Sequence, residues 1–323
     1  MFIFLIALFV FALTFVLTPT VIALSWKIGA VDVPQDRRRM HREKMPRCGG
    51  LAVMIPIFFG CYISGNVSHF LLCALCGAGL MMAVGLADDM FCLGAFPKLL
   101  FQIAAATASV LGSGVAEGNT VIFAVLWVVV LTNAHNFIDG MDGLLSGCAS
   151  MEALLLLAVY LLIGSAELVE VSLFLALACL AFRLFNRYPA QIFAGDCGSQ
   201  SIGFLLGMLS LPLFAAPTVF IGNLSPLFIF AYPLIDLSSS VLRRILHGRS
   251  PFSADMAHLH HRIYAAGLSQ PECCAALMSA TVSLGTVGVL LISEALWAYA
   301  SIACVIATLV LLRIRAYVVG NSA

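Results

Sequence analysis

The chain has 323 residues, of which 62% are hydrophobic and 10% charged, with a mean hydropathy of +1.06 and a formal net charge of zero. A soluble protein needs a largely polar shell, and this composition cannot build one, so the chain must be solvated by lipid. Most of the 11 cysteines sit inside apolar runs, Cys61, Cys73, Cys76, Cys179 and Cys304 among them. There a thiol behaves as a small hydrophobe, and Cys73-x-x-Cys76 lacks the second half of a zinc or redox motif.

A bilayer-crossing helix needs about 20 apolar residues, and about eleven stretches qualify. They lie near 2–24, 49–65, 69–87, 99–114, 119–133, 146–164, 168–185, 200–217, 222–240, 275–293 and 295–313. The first lacks the basic start and the cleavage site of a signal peptide and reads as a retained span. Irregular backbone cannot face lipid, so the expected fold is all-α, a polytopic integral membrane helical bundle. No internal repeat of the kind that builds many transporters is visible.

Orientation comes from the basic residues. All 16 Lys and Arg fall in odd-numbered connections or at the C-terminal end. The first connection holds Lys27, Arg37, Arg38, Arg39, Arg42, Lys44 and Arg47, the third Lys98, and the seventh Arg183 and Arg187. The ninth holds Arg243, Arg244, Arg249 and Arg262, and the C-terminal end Arg313 and Arg315. The positive-inside rule then places the N-terminus outside and the C-terminus in the cytoplasm. The chain reads as one membrane-embedded domain over 1–323. Its cytoplasmic loops near 25–48, 88–98, 134–145, 186–199 and 241–274 would form the active site.

Those connections carry the polar motifs. Asp88 and Asp89 adjoin at the end of an apolar span, in GLADDM. Two neighbouring carboxylates repel each other, and negative charge at a helix C-terminus opposes the macrodipole, so a cation or a basic partner is expected there. The fifth connection, NAHNFIDGMDGLLSG, repeats Asn133, Asn136, Asp139 and Asp142 every three residues. Asp139 or Asp142 could cap the next helix, but one cap explains one carboxylate. In the seventh, Asp196 stands between Gly195 and Gly198, either as a cap or as a metal carboxylate beside amides that hold phosphate. In the ninth, His258, His260 and His261 cluster with Arg262. Zinc is one reading, but no Cys or carboxylate at usual spacing completes the set, and phosphate binding fits better. Asp236, in the ninth span, is either functional or paired with Arg243 or Arg244. Five aspartates converging on one face would require Mg²⁺ or Mn²⁺, which points to metal-assisted phosphoryl transfer at a membrane surface. Groups confined to one face argue against a transporter of lipid-linked or anionic solute, the competing class.

In this order the motifs resemble the polyprenyl-phosphate N-acetylhexosamine-1-phosphate transferases, closest to the WecA branch, with TagO and MraY more distant. The resemblance covers most of the chain. It rests on VDVPQDRRRMHREKMPRCGG (with Asp32, Pro34, His41, Pro46, Gly49 and Gly50), GLADDM, NFIDGMDG, IFAGDCGS and HLHHR, with SPFSAD before the histidines. It implies transfer of a sugar-1-phosphate, GlcNAc-1-phosphate in the nearest branch, from a UDP-sugar to undecaprenyl or another polyprenyl phosphate. UMP would be released, and lipid-linked surface polysaccharide such as O-antigen would be started. By position it implies that Asp196 ligates Mg²⁺, with Mn²⁺ able to substitute, that Asp88 orients or deprotonates the lipid phosphate, and that Asp89 assists. Lys44, Asn133, Asn136, Asp139, Asp142 and Phe193 would bind substrate, the last three in the nucleotide pocket. His258, His260, His261 and Arg262 would engage the diphosphate or sugar. His135, Gln191 and Ala194 depart from the family's usual residues and bear on the choice among UDP-N-acetylhexosamines. The implied setting is a bacterial inner membrane, with no nucleic acid as partner. A monomer and a homodimer are both compatible with the sequence.

Overall fold

The computed structural model describes residues 2–32, 44–215, 222–248, 250 and 258–293. Among these residues the elements are helices, apart from one short hairpin and two short 3-10 segments. They run α1 (Phe2–Ile28), β1 (Val31–Asp32), β2 (Met45–Pro46), α2 (Gly49–Ser64), α3 (His69–Phe91), α4 (Ala95–Ser113), α5 (Thr120–Ile138), α6 (Leu144–Ile163) and α7 (Ala166–Asn186). Then follow α8 (Gly195–Ser210), α9 (Ser225–Ile229), α10 (Ala231–Leu246), α11 (Leu259–Ala265) and α12 (Gln270–Ile292). β1 and β2 pair antiparallel, with Val31 opposite Pro46 and Asp32 opposite Met45.

Among the described residues eight helices are long and apolar enough to cross a membrane. α2 is apolar but shorter. Large apolar side chains on the outside, such as Leu8, Tyr62, Ile122, Leu126 and Leu161, are more than half exposed. That arrangement suits a protein whose surroundings are hydrocarbon. The expected span over 222–240 is instead broken. The Gly222–Ile229 and Ala231–Leu246 segments meet at 68° around Phe230. Pro233 has no N–H to continue the hydrogen-bond ladder through that point. The eleventh expected span, 295–313, lies outside the described residues.

α8 is the axis of the bundle. All sixteen of its residues are buried, packed by α3 on one side and by α5 and α2 on others. A helix starting Gly-Asp-Cys-Gly-Ser-Gln-Ser can sit there because its glycines let neighbouring backbones close in. A Cβ on Gly203 would stand 2.9 Å from the Leu131 carbonyl, and one on Gly207 3.1 Å from the Val128 Cα. Its far end is tied by Trp127, whose Nε1 donates to Ser210 Oγ at 2.8 Å. The tyrosine hydroxyl of Tyr160 donates to the Leu209 carbonyl.

The helices run further than hydropathy suggested. α3 continues through Asp88 and Asp89, α5 through Asn133 and Asn136, and α8 begins at Gly195 rather than at 200. The expected loops 88–98, 134–145 and 186–199 shrink accordingly. Hydropathy marks the lipid-immersed length, whereas polar residues at a helix end remain helical when adjacent helices supply their partners.

Candidate active site

The first turn of α8 organises the site. The first N–H groups of a helix have no partner inside it. Here two carboxylates from other helix ends supply them. The Asp196 N–H donates to Asp89 Oδ1 and the Cys197 N–H to Asp89 Oδ2, both at 3.0 Å. The Gly195 N–H donates to Asp139, the residue that ends α5. Both contacts are also favoured by the helix dipole. Gly195 has φ +70°, and a Cβ on it would stand 2.6 Å from Asp89 Oδ2, so a side chain fails there on both counts.

Asp196 projects from this turn into a ring of partners. Lys98 Nζ donates to Asp196 Oδ2 at 2.8 Å and to Asp88 Oδ2 at 2.9 Å, bridging two carboxylates from α8 and α3. Asn136 Nδ2 donates to Asp196 Oδ1 and to Ser199 Oγ, each at 2.8 Å. Arg47 reaches three acids, with Nε 3.3 Å from Asp89 Oδ1, Nη1 3.7 Å from Asp32 and Nη2 3.9 Å from Asp196 Oδ1. Asp139 also lies in the field of this guanidinium. Desolvation in the packed turn holds the Asp139 carboxyl well above the usual carboxylate range. The nearby Asp196 and Asp89 carboxylates add to this rise, while Arg47 and the Gly195 N–H oppose it.

The histidines dock on the same loop. His258 and His260 stack with centroids 5.7 Å apart and planes 5° off parallel, and His261 lies 4.3 Å from His260. The Phe137 ring stands edge-on to His258 at 5.1 Å. A Cβ on Gly140 would meet His260 Nε2 at 2.7 Å, so the bare backbone of Gly140 is what lets α11 approach. His260 is fully buried, and among the described residues neither ring nitrogen has a hydrogen-bond partner. Burial, followed by the charges of His261 and His258, lowers its pKa to about 3, with Asp236 opposing.

Not every expected site residue joins this cluster. Asn133 lies one turn deeper on α5, where Nδ2 donates to Gln102 Oε1 at 2.6 Å, and Gln102 in turn donates to Gln200. Asp142 turns the other way. Its Oδ2 accepts the Ala190 N–H at 3.0 Å, and it borders a cavity of about 470 Å³ lined also by Arg183, Arg187, Gln191 and Cys274. Phe193 is half-buried, and its backbone donates to the Pro46 carbonyl and accepts the Gly49 N–H. Lys44 and Arg262 are exposed. Neither Asp139, Asp142 nor Asp196 caps its own following helix by side chain. His135 does not face the site. Its Nε2 lies 2.7 Å from Glu152 Oε2 and its Nδ1 2.8 Å from the Leu131 carbonyl, with both side chains fully buried. Among the described residues Asp236 pairs with His258, at 2.9 Å, where the sequence suggested Arg243 or Arg244.

The donor set fits Mg²⁺. Mg²⁺ is typically held by one or two carboxylates plus substrate phosphates and water. Asp88 and Asp196 already converge on one cation, the Lys98 ammonium. Asp88 Oδ1 is buried with no hydrogen-bond partner among the described residues. Among the described residues five carboxylates (Asp32, Asp88, Asp89, Asp139 and Asp196) and two cations meet here. Among the described residues no three His, Cys, Asp or Glu side chains are gathered as a ready cage, so substrate oxygens would complete the shell.

The glycosyl transferase family 4 model matches residues 71–213. The chain is 37% identical over 272 residues to the "probable undecaprenyl-phosphate N-acetylglucosaminyl 1-phosphate transferase" of Bacillus subtilis, covering 79% of this chain and 75% of the relative. It belongs to glycosyl transferase family 4. Family members that it also resembles include the "undecaprenyl-phosphate alpha-N-acetylglucosaminyl 1-phosphate transferase" of Yersinia pestis, 32% identical over 88% of this chain and 83% of the relative. The "decaprenyl-phosphate N-acetylglucosaminephosphotransferase" of Mycobacterium tuberculosis is 32% identical over 80% and 74%. The family match takes in Asp88, Asp89, Lys98, Asn136, Asp139, Asp142 and Asp196 but ends before the histidines and begins after Arg47. Lys98 and Arg47, which hold this family 4 site together, were read from sequence only as orientation markers. Their signal is weak. Lys98 is a lone cation ten residues past Asp88, and Arg47 is one of seven basic residues in its connection.

Proposed function

We infer that the protein transfers GlcNAc-1-phosphate from UDP-GlcNAc to undecaprenyl or another polyprenyl phosphate, releasing UMP. The observation that carries this reading is the meeting of Asp88 and Asp196 oxygens on one cation position. That cation is the Lys98 ammonium, Arg47 stands beside it, and a polar cavity large enough for a nucleoside borders Asp142, which leads away from this cluster. That arrangement suits a diphosphate whose charge must be neutralised as it is split. A divalent cation bound there would draw charge from the diphosphate oxygens.

The chain's own groups have distinct tasks. Lys98 and Arg47 hold diphosphate oxygens. Asp89, with both oxygens given to backbone N–H groups, keeps the first turn of α8 in place. Asp88, at the last turn of α3, meets the lipid phosphate as it arrives from the bilayer. That phosphate, with a second pKa near 6, is largely a dianion at pH 7 and needs positioning more than deprotonation. Its oxygen attacks the phosphorus that carries the sugar, and the bond from that phosphorus to UMP breaks. The protein sits in a bacterial inner membrane with this site toward the cytoplasm. A reporter after Ala323 should therefore be cytoplasmic and one near Glu117 external, and both on one side would reverse the topology.

The deciding experiment supplies purified protein with undecaprenyl phosphate, Mg²⁺ and a panel of UDP-sugars, and follows UMP release. UMP formed only with lipid phosphate, fastest with UDP-GlcNAc and abolished by EDTA, is the expected result. No release with any UDP-sugar would overturn the transferase reading. Release that persists in chelator would remove the metal from it.

A further inference from the structure

Asp236 and His258 come from different elements and meet beside the site. Asp236, fully buried on α10, places Oδ2 2.9 Å from His258 Nδ1, and its Oδ1 accepts the Leu259 N–H at 2.6 Å. One carboxylate thus takes both a ring hydrogen of His258 and a free N–H at the start of α11. An ionised carboxylate only accepts hydrogen bonds, so the hydrogen between them sits on Nδ1. The other ring nitrogen, Nε2, is then the lone-pair atom of the neutral ring. Among the described residues the ring's hydrogen bonds are made at Nδ1, to Asp236 and to Ser240 Oγ at 3.2 Å, and His258 keeps only 8% of its surface exposed. Phe137 holds the ring edge-on and His260 holds it face-on. Phe137 itself follows Asn136, which donates to Asp196. The ring is therefore fixed in place and in tautomer, next to the helix end that carries the transfer site.

We propose that Asp236 is a positioning residue, which fixes His258 as the Nδ1–H tautomer so that Nε2 accepts an O–H hydrogen bond from substrate. The proposal rests on the transferase reading. Two substrate groups share the required chemistry, a hydroxyl of the UDP-sugar and the P–OH of a singly ionised lipid phosphate. Among the described residues the charged and titratable groups around the ring begin with Asp236 and, through Ser240 Oγ, Arg243 on α10. Arg244 lies on the Phe137 ring, and His260 and His261 on α11.

Asp236→Asn is the direct test. The new amide keeps an oxygen for the Leu259 N–H but turns its NH₂ toward Nδ1, which forces the hydrogen onto Nε2. UMP release should fall about 100-fold, within the range that a positioned proton acceptor supplies. The thermal midpoint should stay near wild type. In a His258→Ala background the same substitution should have no further effect, because no tautomer is left to set. If the group is a sugar hydroxyl, the loss appears in KM for UDP-GlcNAc at every pH. If it is the lipid P–OH, the loss appears in kcat and grows below pH 6. A second pair of variants leaves Asp236 intact. His258→Gln puts an amide oxygen near the place of Nε2, while His258→Asn replaces only the Nδ1 side. Gln should retain at least ten-fold more activity than Asn. Wild-type rates in Asp236→Asn, a full further loss in the His258→Ala background, or Asn exceeding Gln would each overturn the proposal. A wild-type enzyme without UMP release would instead sink the transferase reading beneath it.

Discussion

Asp196 and Glu152 are both carboxylates held among packed helices, and the company they keep separates them. Asp196 shares its oxygens among Lys98, Asn136 and Arg47 at the junction of several helix ends. Among the described residues acids outnumber bases there, and partners can be exchanged for an incoming phosphate or metal. Among the described residues Glu152 has one partner, His135, in the interior of the bundle, and its Oε1 has none. Both side chains of this pair are fully buried. In a lipid-solvated protein, polarity alone therefore does not mark a site. Uncompensated charge within reach of a ligand does.

Substitutions can break this contrast. Asp196→Asn removes the carboxylate on which Lys98, Asn136 and Arg47 converge, and roughly a 10³-fold loss of kcat in UMP release is expected. Glu152→Leu should instead act on folding. It leaves His135 buried without its partner, at a cost of about 3–5 kcal/mol in unfolding measurements. The double variant His135→Leu/Glu152→Leu should recover most of that stability and keep its turnover. A stable double variant as inactive as Asp196→Asn would merge the two regions into one.

Smaller effects sharpen the comparison. Asp89→Asn turns one of two acceptors at α8 into a donor facing an N–H. A loss of about 1–3 kcal/mol in stability is expected, with a smaller fall in kcat than for Asp196→Asn. His260 represents a third situation, buried and unpaired. Its folded pKa of about 3 lies below the unfolded value near 6.5. Between these values the unfolded chain binds the extra proton, so stability is complete above pH 6.5 and declines as pH falls. The slope approaches about 1.4 kcal/mol per pH unit. Asp139, shifted upward, has the opposite sign, since its contribution is present at low pH and lost as pH rises. Thermal midpoints of His260→Leu should therefore fall less steeply than wild type between pH 6.5 and 4.5. Parallel curves would show that this ring does not carry the acid sensitivity.

Much of the fold was legible because apolar runs long enough to span a bilayer have one solution, a helix. Their ends were less so. Asn136 and Asp88 read as loop residues because hydropathy stops before them, yet neighbouring helices give them partners and the helices continue. The break at Phe230 had a visible signal in Pro226 and Pro233, which the apolar count outweighed. At the site, aspartates flanked by glycine stood out because such pairs have little structural purpose in an apolar chain. The cations that bind them did not, since Lys98 meets Asp196 across 98 residues of sequence. The His135–Glu152 and Asp236–His258 pairs, 17 and 22 residues apart, follow from helix packing that no local spacing encodes.

The glycines beneath the site have one more consequence. A Cβ on Gly50 would strike the backbone of Cys197 and Gly198, one on Gly85 that of Asp196 and Cys197, and one on Gly198 would stand 3.0 Å from the Gly50 Cα. Three helices therefore touch main chain to main chain directly under the reacting groups, with no side chain between them to act as a bearing. Such a floor cannot tilt or slide by changing rotamers, and it is already in its working shape before any substrate arrives. Little ordering of this platform remains to be done at binding, so affinity is not drained by reorganisation. Adaptation to a different sugar or lipid must then come from the rim, because at these three positions the only substituent with room is a hydrogen atom.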